Sequence, residues 1–125
     1  MLKNINAMAT IAVRDVKAAR EFYQGKLGLA ATDSGEPSVL ALQSGASTIM
    51  IYQSQYAGTN KATSATWAVG EGIEGIVKSL KAQGVSFEHY DLPDTTRQGD
   101  VHVSGGRKVA WCKDPDGNIL CLVNG

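Results

Sequence analysis

The sequence holds one pattern twice. Ala65-Thr66-Trp67-Ala68-Val69 repeats Ala9-Thr10-Ile11-Ala12-Val13, and Gly84 follows Ala65 at the distance by which Gly28 follows Ala9. Each motif opens the same succession of an alternating run, a run with helical spacing, a glycine and further short apolar runs. In the first copy, residues 5–13 alternate, with Ile5, Ala7, Ala9, Ile11 and Val13 on one parity, as a half-buried strand requires. Asp15 is a good helix N-cap. Val16, Ala19, Phe22, Tyr23 and Leu27 follow at helical spacing, and Gly28 suits the C-cap. Residues 29–32, 38–43 and 48–53 read as strands, with turns at 33–37 and 44–45. In the second copy Ile73, Ile76, Val77 and Leu80 form one helical stripe ending at Gly84, residues 85–90 read as a strand, and residues 91–106 as a long polar loop.

The chain closes on residues 107–125, RKVAWCKDPDGNILCLVNG. Asp114-Pro115-Asp116-Gly117-Asn118 is turn chemistry between two apolar runs, which predicts a β-hairpin. A four-residue loop at 114–117 would set Cys112 opposite Ile119 and diagonal to Cys121. A disulfide and two reduced thiols both remain open on that register. The absence of a charged-then-apolar secretory pattern at the N-terminus favours reduced thiols and a cytoplasmic protein.

Each copy is about 55–60 residues, too short to bury enough surface by itself. The repeat therefore predicts one α+β domain of two βαβββ modules, with module one at 1–55, a linker at 56–62 and module two at 63–125. Ile11, Val13, Ile49 and Ile51, then Trp67, Val69, Leu120 and Leu122, would face the helices. The opposite faces carry Met8, Thr10, Met50 and Tyr52, then Ser64, Thr66 and Cys121. Two curved mixed sheets side by side, with helices on the outer face, would make those second faces a shared cleft for a small ligand.

Twelve basic and twelve acidic residues cancel in the 125-residue chain. Nucleic acid needs a basic footprint, so neither it nor an anionic membrane surface is an expected partner. No apolar run approaches the roughly 18–20 residues of a membrane span.

The doubled βαβββ unit, Ala12-Val13-Arg14-Asp15-Val16 running to Glu21-Phe22-Tyr23, Leu27-Gly28-Leu29 and the terminal DPDGN hairpin together resemble the vicinal oxygen chelate superfamily. Its members include glyoxalase I, bleomycin-resistance proteins, extradiol dioxygenases and fosfomycin-resistance enzymes. The resemblance implies that metal-dependent members place a His or Gln five residues before the Val that ends each first strand. It also implies a Glu four residues after the Gly of DPDG, with a counterpart in the first copy. Those positions here are Met8, Ser64, Cys121 and Met50. None offers an imidazole or carboxylate, the donors that Zn, Ni, Mn and Fe(II) sites need. The expectation is therefore no metal and no cofactor. Met8, Met50 and Cys121 as a soft Cu(I) site is an alternative that Met packing in apolar gaps competes with.

Other residues carry a functional and a structural reading side by side. His89 and His102 could orient a ligand or move protons, or be edge-strand histidines. The 91–106 segment, with Arg97 as its internal cation, could be a lid or an excursion. Trp111 becomes a stacking plate if the hairpin register turns it to the cleft. Tyr52 and Tyr56 could flank the cleft mouth. Cys121 as a nucleophile competes with Cys121 as an inert buried thiol. The ligand set is then Met8, Thr10, Met50, Tyr52, Ser64, Thr66, His89, Arg97, Trp111 and Cys121, with no catalytic residue. The expected function is metal-independent binding of a small, partly apolar molecule by a homodimer, of the antibiotic- or toxin-sequestering type. The alternatives are a metal-dependent lyase or dioxygenase with atypical ligands such as His89 and His102, and a partner-binding module.

Overall fold

A computed structural model describes residues 1–32 and 35–125. The chain divides into two units, Met1–Thr59 and Asn60–Gly125, and each sets helix against one mixed sheet. The α+β class and the doubled plan expected from the repeat are both present.

In the first unit, Asp15 caps its helix by accepting a 2.9 Å hydrogen bond from the Lys17 N–H. Helix α1 (Val16–Arg20) then widens into π turns over Glu21–Lys26, where the Leu27 N–H reaches the Phe22 carbonyl at 3.0 Å. Neighbouring residues of an α-helix point about 100° apart, and the wider turns accompany burial of both Phe22 and Tyr23, whose rings meet edge to face. Strands β1 (Ala9–Val13), β2 (Ala30–Thr32), β3 (Val39–Ser44) and β4 (Ser47–Gln53) lie in the order β1-β4-β3-β2, with β1 parallel to β4. Ile11, Val13, Leu40, Leu42, Ile49 and Ile51 are buried, and α1 packs over β3 and β4. The strand expected at 5–13 is shorter than its alternation suggested. Its pairing with β4 begins at Ala9, and residues 5–8 are outside the ladder and exposed. The turn expected at 33–37 falls partly outside the described residues.

The second unit contains β5 (Thr63–Ala68), α2 (Ile73–Ala82), β6 (Phe87–Glu88), β7 (Thr96–Gln98), β8 (Val101–Ser104), β9 (Arg107–Lys113) and β10 (Ile119–Val123), in the order β5-β10-β9-β8-β7. Helix α2 ends in a Schellman motif. Gly84, at φ 89, lets its own N–H reach the Lys81 carbonyl at 2.9 Å and the Val85 N–H reach that of Leu80 at 3.0 Å. Ile73, Val77, Val101, Ala110 and Leu122 form the core, with Trp67, Val69 and Leu80 packed against it. Ile76 instead sits at the edge of the stripe and is 36% exposed.

Residues 91–106 are not one long loop. Thr96–Gln98 and Val101–Ser104 pair as a hairpin around Gly99-Asp100, and β8 then pairs with β9. The lid expected there is therefore in large part sheet. Conversely, the strand expected at 85–90 is only Phe87–Glu88, because β6 and β8 share the flank of β9, β6 at Cys112 and Trp111 and β8 nearer Arg107.

Candidate functional site

On the face of the second sheet turned from α2, register sets Thr66 beside Cys121 and Cys121 beside Trp111. Strand alternation sends Ala110 and Leu122 from the same strands into the core. Period two also brings Val109 and Arg107 of β9, and His102 and Ser104 of β8, to the row's side. A cavity of about 470 Å³ opens over these residues, with Leu92 and Thr95 from the segment before β7 as further walls.

The turn at 114–118 sets this register. Asp114 Oδ1 accepts the backbone N–H groups of Asp116 and Asn118, each at 2.9 Å, and Oδ2 accepts Asn118 Nδ2 at 2.8 Å. The turn closes with Lys113 opposite Ile119, so Cys112 faces Leu120 rather than Ile119. Cys112 and Cys121 thereby point to opposite faces, and both thiols are free. The same register turns Trp111 to the cavity with no bulge in β9. Its ring meets those of Tyr90 and His102 edge-on, at 5.1 and 4.9 Å between centroids.

Burial pushes the Cys121 thiol up, against smaller opposing effects of the Thr66 hydroxyl and the Arg107 charge. Burial also pushes Cys112 up to about 12, helped by the charges of Asp114, Cys121 and Glu88. Both are protonated at neutral pH, which makes them poor nucleophiles. Iodoacetamide at pH 7.5 is expected to leave both unmodified in the native protein and to modify both in urea, read by intact mass. Rapid native labelling of Cys121 would restore the nucleophile reading.

His102 is a satisfied buried histidine. Its Nε2 accepts the Tyr90 N–H at 2.9 Å, which leaves the proton on Nδ1, 3.3 Å from the Val109 carbonyl. His89 and Arg97 come together away from the row, beside Tyr90, Asp91 and Thr95. Arg97 Nη1 lies 2.9 Å from His89 Nδ1 and also donates to the Gly99 carbonyl, while His89 Nε2 lies 2.7 Å from Asp100 Oδ1. Lys81 of α2 completes this strap at 2.7 Å from Asp100. First Lys81 and then His89 hold the Asp100 carboxyl below the usual carboxylate range. The two side chains brace the β7–β8 hairpin.

The sequence model of the Glyoxalase/Bleomycin resistance protein/Dioxygenase superfamily matches residues 5–122. The chain belongs to this superfamily. No curated protein matches it. Among solved structures of the superfamily's fold, the glyoxalase family protein of Enterococcus faecalis is 23% identical, with a TM-score of 0.72 over 98% of this chain and 99% of that one. The fosfomycin resistance protein FosX of Listeria monocytogenes is 16% identical, with a TM-score of 0.73 over 96% and 92%. An integron cassette protein from the Halifax Harbour sewage metagenome is 18% identical, with a TM-score of 0.70 over 95% and 98%.

The positions that the resemblance to metal-dependent members implies for ligands are Met8, Met50, Ser64 and Cys121. Register pairs Thr10 with Met50 in one unit and Thr66 with Cys121 in the other, so Met50 and Cys121 are equivalent. Ser64 is displaced by a bulge. Thr63 pairs with Ile119 and Ala65 with Leu120, which leaves Ser64 unpaired between them and gives its place on the cavity to Thr63. Two thioethers, a thiol and a displaced hydroxyl do not fit the superfamily's hard or borderline metals. Among the described residues, no three His, Cys, Asp or Glu side chains are grouped to hold a metal ion. His102 cannot substitute, since its only ring lone pair is engaged.

In the first unit, Thr10, Met50 and Tyr52 lie on the sheet face opposite the buried residues, with Thr10 and Tyr52 exposed. Exposed Met8 lines a separate pocket of about 590 Å³ with Ala46, Ser47 and Thr48. Tyr56 is exposed in the turns after β4. Of the expected ligand set, Thr66, Trp111 and Cys121 line the cavity. Arg107, Val109, Ser104, Leu92 and Thr95 went unforeseen. Parity from Trp111 gives Val109 and Arg107 directly, and the Gly99-Asp100 hairpin signal would have given β8.

Proposed function

We propose that this protein binds and sequesters a small, partly apolar molecule, without a metal, in the cavity of its second unit. The observation that carries the reading is the cavity over Trp111. Its volume of about 470 Å³ is that of a small-molecule site. Its floor is an aromatic plate, with aliphatic walls and scattered hydroxyls. Antibiotic or toxin sequestration is the superfamily role that such a site supports, and FosX among the structural neighbours is a fosfomycin resistance protein. The protein then works as a homodimer in the cytoplasm, where its two thiols stay reduced.

Thermal-shift screening against diverse small molecules tests the reading, because a ligand of the folded state raises the midpoint. A confirmed ligand is expected to bind about tenfold or more weakly to Trp111→Ala, which removes the stacking plate. Cys121→Glu, which sets a charge into the floor, is expected to weaken it similarly. Urea melts check that both variants are folded. Affinity untouched in both would move the site elsewhere. Stoichiometric Zn, Ni, Mn or Fe in protein purified without chelator would overturn the metal-free part, and a monomer in sedimentation the dimer.

A further inference from the structure

Adjacent cations on β9 have opposite fates. Lys108 points to the α2 side, where its Nζ lies 2.7 Å from Glu74 and 3.5 Å from Glu71. Arg107 points to the cavity side. Among the described residues, no carboxylate lies within ion-pair distance of its guanidinium. Of the unit's other carboxylates three are held elsewhere, and Asp91, Asp94 and Asp116 do not line the cavity. Glu88 holds Lys113 at 2.7 Å, Asp100 holds Lys81, and Asp114 closes its turn. No Asp or Glu lines the cavity, and the Nε2 of His102 there accepts the Tyr90 N–H. The cavity thus carries one positive charge that the protein does not neutralise. Ser104 faces Arg107 across the β8–β9 hairpin, and the hydroxyls of Thr66 and Thr95 line the same cavity.

We propose that the molecule held here is an aromatic carboxylate. Its charge is anchored by Arg107 and its ring lies against Trp111. This rests on the cavity being the binding site. A guanidinium presents a planar fork that meets a carboxylate through two parallel hydrogen bonds. Arg107 and Trp111 are four residues apart on one strand, about 13 Å at 3.3 Å per residue. An arginine side chain laid along the strand toward Trp111 would shorten that span to the length of a two-ring acid. A cationic ligand would meet Arg107 with no carboxylate to offset it, so the charge also selects against the basic drugs that an acidic site accepts.

Calorimetric titration of 2-naphthoate and its neutral isostere 2-naphthamide into wild type, Arg107→Gln and Trp111→Ala tests the proposal. The naphthoate is expected to bind wild type at least about tenfold more tightly than the amide. Arg107→Gln is expected to bring the two affinities together by weakening the acid alone. Trp111→Ala is expected to weaken both. Equal affinities in wild type, or a gap that survives Arg107→Gln, would overturn the anion anchor. If the amide binds as well as the acid and Trp111→Ala weakens it, the cavity remains the site and only the carboxylate preference falls. If neither probe binds wild type, the carboxylate proposal falls, and the screening series decides on the cavity by itself.

Discussion

Asp114→Ala is expected to destabilise the fold by about 2–4 kcal/mol. The side chain is 5% exposed and accepts two backbone N–H groups and the Asn118 amide. Alanine removes all three acceptor contacts and strands donors that are themselves enclosed, since Asn118 is 4% exposed. A hydrogen bond to a charged acceptor contributes about 1.5–3 kcal/mol, and an unsatisfied buried donor costs about 1–3 kcal/mol. Relaxation of the turn and entry of water offset part of that. Asp114→Asn keeps one acceptor oxygen for the backbone donors and loses the charge, so about half the effect is expected. Urea melts at constant m-value measure both. The turn also fixes Lys113 against Ile119, and a one-residue slip would exchange the faces of Cys121 and Leu122. A changed alkylation rate of Cys121 in Asp114→Ala, slower where the slip carries it under α2, is therefore a second readout. A loss below about 0.5 kcal/mol with unchanged thiol protection would mean that the apolar strands set the register without the turn.

That dependence explains how much of the fold the sequence discloses. Local rules carry far where chemistry is concentrated. Asp15 as a cap, Gly84 as a helix end and the Asp114–Asn118 turn each work through one or two residues, and each is legible. The repeat then says that the two copies share one plan, and the parallel pairings of β1 with β4 and of β5 with β10, which no local rule gives, do match. What escaped is where a strand ends and where polar residues form one. Residues 5–8 alternate like a strand, but alternation supplies no hydrogen-bond partner. Thr96-Arg97-Gln98 has no apolar residue, so β7 is invisible to hydrophobic patterning, although Gly99-Asp100 marks its turn.

At the site, parity recovers a row but not its interruptions. Thr66 and Cys121 follow from alternation, and Trp111 joins them once the length of the turn is known. Ser64 shows the limit. Counting back by two from Thr66 reaches it, and the bulge gives its place to Thr63. His89, His102 and Arg97 show another limit, because residue type suggests chemistry while partners decide it. His102 is spent on the Tyr90 N–H, and Arg97 on His89 and Gly99. Arg107 is the converse, a cation on the cavity side that pairs with no carboxylate among the described residues.

Alkaline pH is expected to unfold this protein partly through Cys112. The thiol is 2% exposed, and burial raises it from an ordinary 9.0 to about 12, with smaller contributions from Asp114, Cys121 and Glu88. In the unfolded chain it loses its proton near the ordinary value, while in the folded protein it keeps it to about 12. Between those limits the unfolded state binds fewer protons, so stability falls as pH rises, by up to about 1.4 kcal/mol per pH unit. Below pH 9 both states hold the proton and the contribution is fully present. Tyrosines and lysines titrate in the same range, so the measurement is a difference. Wild type is expected to lose about 2 kcal/mol more than Cys112→Ala between pH 9 and 10.5 in paired urea melts. The alanine variant starts lower at pH 7 because it lacks the buried sulfur, and the two curves converge as pH rises. Curves that stay parallel would mean that Cys112 ionises as readily in the folded protein as in the unfolded chain, and that the sheet face beneath Leu120 admits water.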